Sequence, residues 1–223
     1  MMTRSHVRCR GFSLLEILIT LLIVSVGLLG LASLLSRMQV AELEAYQRTQ
    51  ALIVLSDISE RLNVQRATLS CFAFTTDTAQ GTPFIGTPGT GWTLPTGCAA
   101  STAILNTRTD ETLSQLNDQL QGLAEVKTGS ASGSGAMIGA RACIHYNNAD
   151  LLADSTGTPI TGTGTYTITI VWQGLAPTVA PPATHACANG LYGSESLRRA
   201  VSTSIRFANL TAARLEQESP AWL

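Results

Sequence analysis

One stretch of the chain, residues 17–36, runs for 20 residues without a charged side chain, in the order ILITLLIVSVGLLGLASLLS. A helix rises about 1.5 Å per residue, so this stretch spans about 30 Å, the thickness of the hydrocarbon core of a bilayer. Arg4, Arg8 and Arg10 precede it, and no acidic residue does, which predicts a cytoplasmic amino terminus. The sequence therefore predicts one membrane-spanning helix, with the rest of the chain outside the cytoplasm.

A secretory signal peptide is the competing interpretation of this basic leader and apolar run. Such a peptide has an apolar region of about 7–15 residues and ends at a small-residue cleavage site. Here the run is longer, no such site follows, and residues 31–66 contain neither proline nor glycine. We therefore favour an uninterrupted helix.

The composition argues against nucleic-acid binding. The 223 residues carry 14 basic and 15 acidic side chains, and aromatic residues make up only 5% of the chain. Such a chain offers neither a basic surface for phosphates nor many rings on which bases could stack. We expect no nucleic-acid partner.

Glu16 stands at the start of the apolar run, where an unpaired carboxylate is costly to bury. It ends the segment RGFSLLE at residues 10–16 and follows Gly11 by five positions. With the basic leader and the apolar run, this segment resembles the class III signal sequence of type IV prepilins. The resemblance implies that a prepilin peptidase cuts after Gly11 and that the new amino terminus, Phe12, is N-methylated. A lone carboxylate at the membrane interface is the alternative interpretation of Glu16.

The same resemblance implies a role for Glu16 in assembly. In a bundle of pilin helices, the glutamate meets the terminal amine of a neighbouring subunit. Each group alone is costly in an apolar core, whereas the pair sets the register of the subunits.

The cysteines fit an exported domain. Of the five, Cys9 lies in the leader, which leaves Cys71, Cys98, Cys143 and Cys187 on the side of the membrane where disulfides persist. Four cysteines allow three pairings; we favour Cys71 with Cys98 and Cys143 with Cys187, because each pair closes the nearest loop. There is no CxxC motif and no histidine at ligand spacing, so we expect neither a metal site nor a cofactor.

The apolar periodicity predicts the remaining elements. One helix is expected over residues 12–66, whose second half carries a stripe at steps of three and four: Val40, Leu43, Gln47, Ala51, Leu55, Ile58 and Leu62. A second helix is expected over residues 110–123 with Thr109 as its N-cap. Strands that alternate as half-buried antiparallel strands do are expected at residues 140–146, 165–172 and 199–207. Residues 75–102 read as an irregular loop, and residues 129–135 as a flexible connector.

These elements predict an α+β fold, a long helix packed on a small antiparallel sheet, and this fold is similar to that of type IV pilins. We expect four segments: a leader at residues 1–11, a membrane or filament-core half-helix at 12–36, an amphipathic half-helix at 37–70, and an extracytoplasmic globular domain at 71–223.

The carboxyl-terminal half resembles the minor pilins called type IV pilus modification proteins. The resemblance lies in GLLG at residues 27–30, the strand YTITIVWQG at 166–174, Cys187, LYG at 191–193 and LRRAV at 197–201. It implies a filament-priming role at the pilus tip, in adhesion and twitching motility. The implied partners are other minor pilins, the major pilin, the prepilin peptidase, the inner-membrane assembly platform and a tip adhesin. The implied location is the inner membrane and then the surface pilus.

Three alternatives stay open. A minor pseudopilin of a type II secretion system shares the signal segment. A membrane-anchored enzyme would depend on His145 or His185, and neither lies in a motif of nucleophilic catalysis. A receptor-binding module is the third alternative; its basic residues would be Arg198, Arg199, Arg206 and Arg214. We also considered a calcium loop at Asp150 and Asp154, but the EF-hand spacing is absent, so a solvated turn is the better interpretation.

Overall fold

The computed structural model describes residues 11–123 and 137–207. The chain divides into two compact units, Met1–Leu43 and Glu44–Leu223, and we call the described part of the second unit the head. Helix α1 spans Leu14–Val64, 51 residues, which confirms the predicted long helix to within two residues at each end. Its length follows from the absence of proline and from the strong helix formers that fill residues 31–64.

The part of α1 within the head has one buried face. Its buried residues recur at steps of three and four, as the predicted stripe does, and they are Gln47, Ala51, Val54, Leu55, Ile58 and Leu62. The stripe was predicted to start earlier, but Val40 and Leu43 are 36% and 54% exposed and belong to the first unit. The core-facing side of α1 therefore begins at Gln47.

The sheet is an antiparallel meander of four strands in the order β1-β2-β3-β4. The strands are β1 Ile85–Gly86, β2 Arg141–Asn147, β3 Thr165–Gln173 and β4 Arg198–Arg206. The three longer strands confirm the alternating segments of the sequence to within one residue. Strand β1 was not predicted, because two residues within a Thr/Gly/Pro-rich loop carry no periodicity.

Helix α3 spans Ala103–Gln121 and begins seven residues before the predicted start. Thr109 is therefore not its N-cap but a fully buried residue inside the helix. Its hydroxyl donates to the side-chain oxygen of Gln65 at 2.8 Å and lies 2.7 Å from the hydroxyl of Thr68. Gln65 and Thr68 lie just after the end of α1. In this segment a 3-10 turn at Arg66–Thr68 leads into the short helix α2, Leu69–Phe72. The predicted connector at residues 129–135 lies outside the described residues.

The main core lies where α1 and α3 cover one face of the sheet. Its fully buried side chains come from all three layers and include Ile58, Leu62, Leu113, Leu116, Ile144, Ile168 and Ile170. Burying a side chain of this kind stabilises the fold by about 1.5–3 kcal/mol relative to leaving it in water.

The opposite face of the sheet is also covered, which corrects the prediction of half-buried strands. A second apolar cluster lies there, made of Phe84, Cys143, Val171, Cys187, Ala188 and Tyr192. Val171 is fully buried although its neighbours Ile170 and Trp172 face the first core. The covering segment around Cys187 packs closely against the loop that precedes β1. A Cβ on Gly81, in that loop, would overlap the backbone of Ala186 and Cys187.

Candidate assembly site

The predicted cleavage site lies just before the first helical turn. Residues 11–13 are not helical, and the first helical residue is Leu14. The Ser13 carbonyl accepts the N–H of Glu16 at 3.0 Å, whereas Phe12 is 79% exposed and a Cβ on Gly11 would meet nothing within 4 Å. A peptidase can therefore reach the Gly11–Phe12 bond without unwinding the helix.

Glu16 occupies the first turn of α1. The N–H groups at a helix start have no partner within the helix, so a carboxylate there is favoured by the positive end of the helix dipole. The side chain is exposed in the single chain. Gly11, Phe12 and Glu16 thus lie on one short exposed stretch, where a carboxylate stands four residues after the amine that cleavage would create.

The apolar half of α1 has no cover within its own unit. Large apolar side chains from Leu14 to Leu35 are 47–82% exposed. Within the described ranges, α1 is the one helix long and apolar enough to cross a membrane, and its most apolar window has a mean hydropathy of 2.6 with no part of it buried. A surface of this kind needs lipid or the helices of other chains around it.

Glu44 is the first residue of the head. One of its carboxylate oxygens accepts hydrogen bonds from three donors. Its Oε1 accepts the N–H groups of Leu175 and Ala176 at 2.9 and 3.1 Å and the Nη2 of Arg199 at 3.0 Å. Burial by itself raises the pKa of this carboxyl, but the Ala176 hydrogen bond and the Arg199 charge outweigh burial, so the net pKa is lowered. The sequence alone did not single out Glu44. The one feature of the sequence that could have indicated its role is its position three residues before Gln47, on the face of α1 that is buried in the head.

Replacing Glu44 with glutamine is expected to lower the free energy of unfolding by about 1.5–3 kcal/mol at neutral pH, the range for a hydrogen bond to a charged group. The lowered pKa means that folding favours the ionised carboxylate. The stabilisation is therefore present above the pKa of the unfolded chain and is lost as pH falls through the lower pKa of the folded chain. Thermal unfolding of the full chain in detergent, followed by circular dichroism, should show the two proteins converging in acid.

The control for this prediction is Glu42→Gln, because Glu42 is exposed on the same helix. It should unfold like the parent at every pH. An equal loss in both variants, or a Glu44→Gln defect that persists undiminished in acid, would contradict the role of Glu44.

The structure joins Cys71 to Cys98 and Cys143 to Cys187, the two pairs that the nearest-loop reasoning favours. The first closes a separation of 27 residues and the second one of 44. The second disulfide holds the segment around Cys187 against β2, which contains Cys143. The outer cluster of the sheet therefore depends on this bond.

Three of the arginines named for a receptor-binding module form ion pairs within the head. Arg198 bonds Glu195 at 2.6 Å, Arg199 bonds Glu44 at 3.0 Å, and Arg206 bonds Asp150 at 2.8 Å. Arg214 lies outside the described residues. Three of the four basic residues named for a receptor-binding module therefore have acidic partners within the head.

Arg141, the first residue of β2, is a buried cation. Its guanidinium lies 5.4 Å from the ring centre of Phe84 and 4.9 Å from that of Tyr192. It also donates to the carbonyls of Thr87, Pro88 and Gly139. Arg141 thus links the β1 loop to the segment after Cys187.

The residues considered for catalysis or calcium binding have local partners. His145 Nδ1 lies 3.1 Å from the Thr75 carbonyl. His185 Nε2 lies 2.8 Å from the hydroxyl of Ser202, and its Nδ1 faces the Thr184 hydroxyl at 3.2 Å. Asp154 accepts two backbone N–H groups of its own turn, and Asp150 binds Thr165 and Arg206. In the described ranges no group of three or more metal-ligating side chains occurs.

Comparison with known proteins identifies one family feature. The family described as the prokaryotic N-terminal methylation motif matches residues 7–32. This match spans the cleavage bond, Glu16 and most of the apolar run. No curated protein and no solved structure matches the chain.

Three findings point to the same kind of protein: the family match, the exposed apolar half of α1 and the α+β head. The motif points to a structural protein rather than an enzyme, and it suggests membrane anchoring, action of the prepilin peptidase and assembly with other pilins. Together these features support a type IV pilin-like protein of a pilus or pseudopilus.

Proposed function

We propose that the protein is a minor type IV pilin, similar to the modification protein PilV, that primes pilus assembly and lies at the pilus tip with other minor pilins. In this role it supports adhesion and twitching motility indirectly, by helping to present a tip adhesin. The observation that carries the proposal is the N-terminal methylation motif at residues 7–32, joined directly to a helix with an exposed apolar half.

The proposal includes the processing of the chain. The prepilin peptidase cuts after Gly11 and methylates Phe12, the head lies in the periplasm, and the mature chain keeps 11 of the 14 basic and all 15 acidic side chains. Residues 12–36 then form the membrane or filament-core half of the helix, residues 37–70 the amphipathic half, and residues 71–223 the globular domain.

A role at the tip rather than along the shaft is supported by the head. The carboxyl-terminal segments that resemble those of minor pilins occupy structured positions: LYG at 191–193 contains the buried Tyr192, and LRRAV at 197–201 contains the paired Arg198 and Arg199. Loops make up much of residues 73–102 and 174–194. A subunit at the tip need not repeat these loops along a filament.

The experiment deletes the gene and restores it on a plasmid with the full chain. The proposal expects surface pili to fall at least tenfold and to return on complementation, while secretion of exoproteins is unchanged. The matched control restores the gene with Gly11 replaced by leucine, which should block processing and leave the pili absent.

A minor pseudopilin of a type II secretion system is the second candidate, because the same motif precedes its helix. The phenotype of the gene deletion distinguishes a minor pilin from a minor pseudopilin. Loss of exoprotein secretion with normal pili would overturn the pilus proposal in favour of the pseudopilin.

A further inference from the structure

The two disulfides of the head differ in the access that solvent has to their sulfur atoms. Cys143 and Cys187 are each only 4% exposed. The Sγ of Cys143 lies 3.3 Å from the carbonyl oxygen of Gly81, and the Sγ of Cys187 lies 3.8 Å from the carbonyl oxygen of Thr169. Backbone atoms of two other segments therefore pack against this disulfide, and an external thiol cannot reach it in the folded head.

The disulfide between Cys71 and Cys98 lies beside an open cleft instead. Both cysteines are half-buried, and both line a cleft of about 180 Å³. Most of the remaining lining is the segment around Cys98, residues 95–99, in the order PTGCA. Its side chains are small, and a Cβ on Gly97 would meet nothing within 4 Å. An incoming thiol can therefore approach Cys98 through this cleft while the head stays folded.

The chain around Cys98 has few other attachments to the head. Residues 94–101 belong to no helix or strand, and within the part of the chain that the structure describes they make no backbone–backbone hydrogen bond. Side chains of α3 hold this segment. Asp110 accepts the N–H groups of Gly97 and Cys98 at 2.9 and 3.0 Å, and Asn106 exchanges two hydrogen bonds with the segment. Opening the disulfide therefore frees a loop and leaves the sheet and the long helices intact.

Asp110 also places a negative charge beside Cys98, because its Oδ1 accepts the N–H of that residue. Exchange between thiols and disulfides begins with attack by a thiolate and releases another thiolate. A carboxylate at this position repels both anions. Asp110 therefore keeps the segment closed in two ways, by binding its backbone and by its charge.

We propose that the disulfide between Cys71 and Cys98 is a site of thiol–disulfide exchange with a dithiol protein, whereas the disulfide between Cys143 and Cys187 stays closed. Reactivity of this kind follows the access of the attacking thiolate to the sulfur. The proposal does not depend on the N-terminal motif, since every residue that it uses belongs to the head.

The exchange proceeds in two steps. A thiolate of the dithiol protein attacks the Sγ of Cys98 from the cleft, the bond between Cys98 and Cys71 breaks, and Cys71 leaves as a thiolate. The second thiolate of the dithiol protein then attacks the mixed disulfide, and Cys98 leaves in turn. Two electrons pass to the head, the dithiol protein becomes a disulfide, and its two protons end on Cys71 and Cys98.

The test treats the full chain in detergent micelles with reduced thioredoxin as the dithiol protein. The chain carries Cys9→Ser, which removes the leader thiol from the count. Alkylation at successive times, read by mass spectrometry of peptides, should show Cys71 and Cys98 becoming free at least tenfold faster than Cys143 and Cys187. Circular dichroism should stay unchanged while the first pair opens. Thioredoxin whose second cysteine is replaced by serine should be captured as a mixed disulfide on Cys98.

Asp110→Asn tests the hold on the segment. The variant loses the charge and one of the two acceptors, so the exchange at Cys98 should be at least twofold faster than in the parent. The matched control is Glu111→Gln, because Glu111 is the next residue of α3 but lines a different cavity. It should react at the rate of the parent.

Three results would overturn the proposal. The first is opening of both disulfides at the same rate, and the second is loss of the circular dichroism signal together with the first bond. The third is capture of the serine form of thioredoxin on no cysteine or on one other than Cys98. Equal rates in Asp110→Asn and Glu111→Gln would overturn the part assigned to Asp110.

Discussion

Replacing Glu16 with alanine is expected to leave the protein in the membrane but to keep it out of the filament. The apolar half of α1 is unchanged in this variant, so insertion into the bilayer does not suffer. We propose that Glu16 pairs in the filament with the terminal amine of a neighbouring chain, so that in this variant the amine is left without its carboxylate in an apolar core. Leaving one partner of a buried pair uncompensated costs about 3–5 kcal/mol, which corresponds to a loss of incorporation of more than about a hundredfold.

Incorporation is measured by immunoblotting sheared filaments and membrane fractions from the same cells. The matched control is Glu42→Ala, because Glu42 is an exposed glutamate on the same helix, and it should enter filaments normally. Glu16→Gln should fail as Glu16→Ala does, since the charge rather than the size is needed. Normal incorporation of Glu16→Ala would show that Glu16 has no part in register.

Removing the disulfide between Cys143 and Cys187 is expected to cost the head about 4 kcal/mol in free energy of unfolding. The bond closes a separation of 44 residues, and the chain-entropy relation gives about this value for a loop of that length. Both cysteines are buried, beside Val171 and Tyr192, so the outer cluster loses packing as well. The melting temperature of Cys143→Ala with Cys187→Ala should fall by roughly 10 °C.

The comparison variant removes the other disulfide, Cys71→Ala with Cys98→Ala. Its separation is shorter, 27 residues, and both cysteines are only half-buried, so its melting temperature should fall less. Circular dichroism of the full chain in detergent measures both. A larger loss in the Cys71–Cys98 variant would contradict the view that the segment around Cys187 is held chiefly by its disulfide.

The features that the sequence predicted are those set by local chemistry. The uncharged run and the absence of proline or glycine from residues 31–66 determine α1. Alternation of apolar and polar residues determines the three long strands, because a strand with a buried face must repeat every two residues. The N-terminal methylation motif was recognisable for a similar reason, since the residues that carry it are close along the chain.

The features that the sequence did not predict depend on distant contacts. In the sequence, Thr109 has the pattern of an N-cap. In the fold, its hydroxyl instead contacts Gln65 and Thr68, which are more than 40 positions away along the chain. Glu44 acquires its function only when residues 175 and 176, about 130 positions along the chain, turn back onto it. The outer face of β3 is likewise covered by a distant apolar segment, which packs over Val171 and is joined to β2 by the disulfide at Cys187.

The most direct test of the central claim is mass spectrometry of the amino terminus of the protein taken from intact cell envelopes. Processing as a prepilin predicts a chain that begins at Phe12 with one N-methyl group, lacking Cys9 and the leader arginines. A chain that keeps Met1 or Met2, or one cut after the apolar run, would contradict it and leave a membrane anchor or a secretory signal in its place.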